Sequence, residues 1–132
     1  MAGPLDPAML DERLDRMLKH VYVEIDATEE QKTKLAPIVK DAVKDLLPLR
    51  QKVREARSKA IELPAGESVD RTAIERLRSE QIALADQASK RFTRALADVA
   101  EVLTPAQRKD LAERAARESG ATDFAVSLPS RS

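Results

Sequence analysis

The feature that most constrains this chain is an apolar heptad pattern that runs from Leu35 to Leu63 without a polar interruption. Apolar residues recur there in alternating steps of four and three, which places them on one narrow stripe of an α-helix. The stripe consists of Leu35, Val39, Ala42, Leu46, Leu49, Val53, Ala56, Ala60 and Leu63. Such a stripe needs a second helix to cover it, so the pattern predicts a pair of long helices.

A turn signal follows the stripe at Pro64-Ala65-Gly66-Glu67-Ser68, because proline ends a helix and glycine permits a chain reversal. The next helix is predicted to begin near Ser68 or Asp70, with Gln81 and Arg91 standing where an uninterrupted seam would be apolar. Its apolar residues are Ile74, Leu77, Leu84, Ala88, Phe92, Ala95, Leu96, Val99 and Leu103. Two arms of about 34 residues would each span roughly 50 Å, so we expect an elongated helical hairpin.

Short helices are predicted at both ends of this hairpin. Asp6-Pro7 has the form of an N-cap followed by proline at the first helical position, and it predicts a first helix that extends to about Asp26. Thr28-Glu29-Glu30-Gln31 has the form of a capping box and predicts the start of the second helix. Thr104-Pro105-Ala106-Gln107 repeats that signal before a short fourth helix, which Gly120 should end.

Two prolines, Pro37 and Pro48, lie inside the second helical pattern. An interior proline removes a backbone hydrogen bond, so we expect a bent helix. A helix that begins only at Pro37 is the alternative, but the capping box at Thr28 favours one kinked element. We expect residues 1–120 to form a single domain and residues 121–132 to form a flexible C-terminal tail.

The composition excludes several classes of protein. Charged residues make up 35% of the 132 residues and aromatic residues only 2%, which is typical of long solvated helices that share a narrow seam. The 23 basic residues equal the 23 acidic ones, so neither overall charge nor stacking aromatics favour nucleic-acid binding. No apolar stretch approaches the roughly 18 residues of a membrane span, and no membrane insertion is expected. The absence of Cys excludes disulfides and thiolate chemistry.

Catalytic and metal sites have little support. His20, with Met17 and Glu24 one helical turn away on either side, is a weak metal candidate, because zinc requires three or four ligands and there is no second His. The glycines are too scattered for a phosphate loop. Four serines are considered as nucleophiles, and none of them lies in the G-x-S-x-G setting of a nucleophile elbow: Ser58, Ser68, Ser79 and Ser89. We therefore expect no catalytic residue, no metal site and no cofactor.

Charge is segregated along the neutral chain. A basic run late in the second helix contains Arg50, Lys52, Arg54, Arg57 and Lys59, whereas the first thirty residues are rich in Asp and Glu. Arg50, Arg54 and Arg57 share one helical face beside the apolar stripe. This run is either a solvated face or a binding surface. Further apolar residues widen the stripe beyond what one partner helix can bury, which predicts a homodimer, and these are Ile38, Val43, Leu47 and Ile61.

The two capping segments form an internal repeat. The two segments share four residue types at matching offsets, namely Thr28 and Thr104, Gln31 and Gln107, a basic residue and a leucine. With Leu103 in front, the second copy reads L-T-x-x-Q, whereas the first copy has Ala27 in place of the leucine. Residues 10–117 resemble the Spy/CpxP family of periplasmic stress proteins in this motif, in its duplication and in the order of the helices.

The resemblance implies an all-α protein that forms an antiparallel, cradle-shaped homodimer and binds unfolded or misfolded polypeptides on its concave face without ATP. It also implies export to the periplasm, with a signal peptide that is missing from Met1-Ala2-Gly3-Pro4. The motif residues Thr28, Gln31, Leu103, Thr104 and Gln107 would then be structural and would fix the starts of helices.

The function we expect is chaperone activity, in which basic side chains attract acidic clients and the apolar stripe holds exposed apolar segments. The client-binding residues proposed from the sequence are Arg50, Arg54, Arg57, Leu47 and Ile61. Two alternatives remain open. One is a periplasmic metal-sensing or metal-resistance protein, although such proteins are generally richer in His and Met. The other is a regulatory partner of a membrane sensor kinase.

Overall fold

The computed structural model describes residues 6–118, which form four α-helices and one short 3₁₀ helix. The α-helices are α1 (Pro7–Ile25), α2 (Glu29–Glu62), α3 (Arg71–Val102) and α4 (Pro105–Glu118), and the 3₁₀ helix is Leu63–Ala65. These residues contain no strand, so the predicted all-α class is confirmed. The predicted helix end at Gly120, the tail 121–132 and the first five residues lie outside the described part of the chain.

Side-chain caps fix the starts of α1 and α3. An Asp6 carboxylate oxygen accepts a hydrogen bond from the backbone N–H of Ala8 at 3.1 Å, with proline at the first helical position as the sequence predicted. Asp70 caps α3 in the same way, since its carboxylate accepts from the N–H of Ala73 at 3.0 Å. Asp70, rather than Ser68, is therefore the residue at which the third helix starts.

The second helix is continuous through both of its prolines. α2 runs for 34 residues with Pro37 and Pro48 in its interior. Thr28 stands directly before it, so the alternative start at Pro37 is wrong. The capping box and the tertiary contacts of the apolar stripe together outweigh the two missing backbone hydrogen bonds.

The chain divides into two compact units. One contains the residues up to Ala36 and from Val99 onward, and thus α1, α4 and the adjoining ends of the long helices. The other is Pro37–Asp98, which holds most of α2 and α3 and the turn between them. The single domain over residues 1–120 stays a prediction.

In the unit Pro37–Asp98, α2 and α3 run antiparallel and bury their facing stripes. The predicted α2 stripe is confirmed, because each of its members is buried or half-buried. The buried residues of this unit are Ala42, Leu49, Ala56, Leu77 and Ala95. Three of these five are alanines, so the helices meet through small side chains. A charged pair also joins the helices, with Arg91 Nε 2.7 Å from Asp45 Oδ2.

The predicted stripe of α3 is partly wrong. Phe92 and Leu96 are 55% and 53% exposed and do not lie in the seam. Gln81 and Arg91 stand at seam positions, as predicted, and are half-buried. In the sequence, Gln81 and Arg91 interrupt the apolar pattern, and each is followed by an apolar residue, Ile82 or Phe92. The seam accepts Arg91 because the Asp45 carboxylate pairs with its guanidinium.

Candidate functional site

The duplicated T-x-x-Q motif forms two complete capping boxes. The backbone N–H of Thr28 donates to Gln31 Oε1 at 2.9 Å, and the N–H of Gln31 donates to Thr28 Oγ1 at 3.1 Å. The second copy repeats this, since the N–H of Thr104 donates to Gln107 Oε1 at 2.9 Å and the N–H of Gln107 donates to Thr104 Oγ1 at 3.2 Å. The predicted helix-start geometry of these four residues is therefore what the structure contains.

The two motif glutamines also bind each other. Gln31 Nε2 donates to Gln107 Oε1 at 2.8 Å, and Gln107 Nε2 donates to Gln31 Oε1 at 3.0 Å. Each amide then uses its second N–H on a backbone carbonyl at the C-terminal end of the helix that precedes the other copy of the motif. Gln31 reaches the Val102 oxygen at 3.1 Å, and Gln107 reaches the Ile25 oxygen at 3.2 Å. The hydrogen bonds of the two copies are thus reciprocal, and together they join the α1–α2 connection to the α3–α4 connection.

This glutamine pair is embedded in the core of its unit. Leu103, the leucine of the complete motif, is 4% exposed and clusters with the buried Ile25 and Leu35. Ala27, which replaces leucine in the first copy, is half-buried against the same cluster. Gln107 is 9% exposed, and both of its amide atoms are saturated by hydrogen bonds. Sequence reasoning identified two separate caps and missed their mutual contact, for which the repeat was the available signal.

Charged side chains reinforce the same unit at the surface. Glu24 on α1 binds Arg114 and Arg117 on α4, with 2.9 Å between the Arg117 guanidinium and a Glu24 carboxylate oxygen. Arg108 Nε donates to the Ala100 carbonyl oxygen at 2.6 Å, near the end of α3. The amides of Gln31 and Gln107 at the centre of this unit are neutral and fully hydrogen-bonded. The region therefore suits a structural role rather than acid–base chemistry.

The basic residues of α2 lie on the other compact unit. Arg50, Arg54 and Arg57 are exposed, and within residues 6–118 none of them forms an ion pair or a side-chain hydrogen bond. The nearby Glu55 accepts a hydrogen bond from Gln51 at 3.4 Å. All three guanidinium groups are therefore available to an external anion.

The three arginines share one stripe of α2 with apolar residues. Each member of this stripe directly follows a residue of the buried seam, so it lies about 100° further around the helix. Within the unit Pro37–Asp98 the stripe contains Lys40, Val43, Leu47, Arg50, Arg54, Arg57 and Ile61. Leu47 is half-buried and Ile61 is 71% exposed. The five client-binding residues proposed from the sequence thus occupy one stripe.

A matching stripe runs along α3. Its members again follow seam residues by one position, and they are Glu75, Arg78, Ile82, Ala85, Ser89, Phe92 and Leu96. Ile82, Phe92 and Leu96 are 55%, 55% and 53% exposed. In two antiparallel right-handed helices, positions one residue after the seam turn to the same side of the pair. We call this side, formed by the two stripes, the apolar–basic face; sequence reasoning missed its α3 half.

The opposite side of the hairpin is polar. Positions one residue before the seam line shallow grooves there, one of which is bordered by Asp45, Lys52, Gln87, Lys90 and Arg94. On the apolar–basic face itself, Arg78 is held by Glu75 through hydrogen bonds of 3.0 Å, and this contact lowers the pKa of the Glu75 carboxyl. Arg50, Arg54 and Arg57 have no such carboxylate among the described residues.

The remaining candidates stay isolated. His20 is exposed, and residues 6–118 contain no cluster of three or more His, Cys, Asp or Glu side chains that could hold a metal ion. The four serines considered above are exposed as well. None of the described helices is long and apolar enough to cross a membrane.

A protein-family model matches most of the chain. The family model described as LTXXQ motif family protein matches residues 13–115, which include both copies of the motif and the whole hairpin between them. No curated protein and no solved structure matches the chain.

Proposed function

The chain belongs to the LTXXQ motif family, the family of Spy/CpxP-like periplasmic proteins, and we propose that it is an ATP-independent chaperone of the periplasm. It binds unfolded or misfolded proteins and suppresses their aggregation during envelope stress. The observation that carries this proposal is the apolar–basic face, where exposed apolar side chains lie beside three unpaired arginines. Soluble proteins rarely expose contiguous apolar surface that has no binding role.

The chemistry of the face suits loose and general binding. Ile61, Ile82, Phe92 and Leu96 are each more than half exposed, so an unfolded segment can bury apolar side chains against them. The exposed arginines attract acidic segments at long range without requiring a defined geometry. Neither interaction depends on a particular sequence, and both are reversible.

Charge also favours a client over a second copy of the chain as the occupant of this face. A symmetric dimer that met through its centre would bring the same surface of both copies together. Arg50, Arg54 and Arg57 would then be buried against the partner's copy of this face, whose α2 stripe carries no acidic residue to pair with them. We propose that the homodimer expected from the widened stripe uses another surface, and its cradle shape stays a prediction.

The test is aggregation of a chemically unfolded or reduced client protein, without nucleotide, followed by light scattering. We expect the wild type to suppress aggregation, and less so at high salt, because exposed charges are screened over about 8–10 Å at physiological ionic strength. The triple variant R50E/R54E/R57E should suppress aggregation less while keeping its helicity.

A matched control is available on the same helix. K44E/K52E/K59E changes the net charge equally at exposed positions away from the apolar–basic face and should retain activity. Equal activity of both triple variants would exclude the arginines from the mechanism. A wild type that suppresses aggregation of none of several clients would exclude the chaperone proposal and favour a regulatory partner of a membrane sensor kinase.

A further inference from the structure

The register of the hairpin determines which residues lie side by side on the apolar–basic face. The Arg91 to Asp45 ion pair, at 2.7 Å, places these two positions opposite each other. Since the helices are antiparallel, positions after Asp45 lie opposite positions before Arg91. Arg54 stands nine residues after Asp45, and Ile82 stands nine residues before Arg91, so these two are opposite neighbours.

The same register separates the face into two parts. Val43 and Leu47 flank Asp45 along α2 and therefore lie opposite the part of α3 that contains Phe92 and, one turn further, Leu96. These four residues form what we call the apolar patch, and the half-buried Lys40 borders it on the α2 stripe, at the end away from the arginines.

The second part lies nearer the turn. It is the basic stretch Arg50, Arg54 and Arg57, and Ala85 and Ile82 lie across from it on α3. Each of its guanidinium groups is exposed and has no carboxylate partner among residues 6–118. On the α3 stripe, Arg78 and Glu75 bind each other. The exposed, unpaired positive charge is thus concentrated on one part of the face, whereas Lys40 at the far edge of the apolar patch is half-buried and already makes an interaction of its own.

We propose that the face selects client segments in which a cluster of apolar residues is followed or preceded, at close range, by a cluster of carboxylates. This inference rests on the proposed function and adds its preferred substrate. The centre of the apolar patch lies about nine residues from Arg54 along α2, which corresponds to about 14 Å. An extended segment covers that distance in about four residues. Side-chain contacts carry the selection, so either chain direction fits.

The experiment uses synthetic dye-labelled peptides of fixed composition and measures their binding by fluorescence anisotropy. The segregated peptide has three apolar residues, one serine and three glutamates, which sets the block centres four residues apart. The alternating peptide has the same residues with apolar and acidic positions interleaved. We expect the segregated peptide to bind at least about threefold more tightly, the lower bound for three exposed ion pairs. Reversing the order of its blocks should change little.

Protein variants identify the two parts separately. R50E/R54E/R57E should remove the advantage of the segregated peptide over one with only the apolar block. Phe92→Ser combined with Leu96→Ser should remove its advantage over a peptide with only the acidic block. The controls are K44E/K52E/K59E and the exposed α1 pair Met9→Ser and Val23→Ser, which should leave both advantages intact.

The outcomes separate this inference from the proposed function. Equal binding of the segregated and alternating peptides, by a protein that suppresses aggregation, would overturn the two-part face and leave the chaperone proposal standing. Binding of the acidic block alone as tightly as the segregated peptide would also overturn it, because the surface would then be a simple anion site. A protein that neither binds the peptides nor suppresses aggregation would refute both proposals.

Discussion

Removal of the amide from Gln107 tests the paired motif most directly. The Gln107 side chain accepts hydrogen bonds from the Thr104 N–H and from Gln31 Nε2, and it donates to Gln31 Oε1 and the Ile25 oxygen. Each bond contributes about 0.5–1.5 kcal/mol net, and partial access of water to the freed groups reduces the sum. We expect Gln107→Ala to lower the free energy of unfolding by about 2–4 kcal/mol.

The reciprocal contact makes a sharper prediction for the double variant. Gln31→Ala alone should cost about 2–3 kcal/mol, because it removes a capping bond, the bond to the Val102 oxygen and the same two bonds to Gln107. Those two bonds are lost in either single variant. Gln31→Ala with Gln107→Ala should therefore cost less than the sum of the single effects by about 1–3 kcal/mol.

Urea denaturation followed by circular dichroism measures all four proteins of this cycle. Gln87→Ala is the control, since Gln87 is an exposed residue of α3 and should change the free energy of unfolding by no more than about 0.5 kcal/mol. Additive effects of Gln31→Ala and Gln107→Ala, within about 0.5 kcal/mol, would refute the reasoning. The glutamines would then act only as separate helix caps.

Four further predictions follow from the same contacts and from the sequence. Leu103→Ala, at a position 4% exposed, should cost about 2–5 kcal/mol in chemical denaturation, whereas Leu96→Ala, at a position 53% exposed, should cost about 0.5 kcal/mol or less. Asp45→Ala should cost about 1 kcal/mol by leaving Arg91 unpaired, and Arg91→Met should cost less, because it removes the charge together with the pair. Light scattering should give a homodimer of the 14.6 kDa chain, and a monomer at micromolar concentration would contradict it. Calorimetric titration with zinc, copper or nickel should show no submicromolar binding; such binding, if lost in His20→Ala, would favour the metal-sensing alternative.

Most of the helix boundaries could be predicted because their signals are local. A threonine followed three residues later by glutamine determines a capping box within one turn, which is why Thr28 and Thr104 were placed correctly. The contact between Gln31 and Gln107 spans 76 positions and depends on how α1 and α4 pack, so no local pattern contains it. The repeat shows that the two sites are alike, but it does not show that they meet.

The stripe of α3 was misassigned for a different reason. Two apolar stripes run along this helix one residue apart, and periodicity alone gives them similar weight. Phe92 and Leu96 are the larger apolar side chains, which favoured their assignment to the core. The partner helix decides otherwise, since Asp45 draws Arg91 into the seam and the small Ala88 and Ala95 flank it there.

The exposure of Phe92 and Leu96 reduces the apolar burial of the hairpin, and this exposure bears on function. Complete burial of a leucine or phenylalanine side chain stabilises a protein by about 1.5–3 kcal/mol, yet α3 leaves Phe92 and Leu96 more than half exposed. A rotation of α3 by about 100° would bury that stripe and expose Gln81 and Arg91. The same rotation would expose Leu77, Ile74 and Leu84, so their burial, together with the Asp45 to Arg91 ion pair, opposes it and keeps Phe92 and Leu96 on the same side as the arginines of α2. The hairpin therefore uses one surface, the seam between α2 and α3, for its stability, and a different surface, the apolar–basic face, for the binding of clients that we propose.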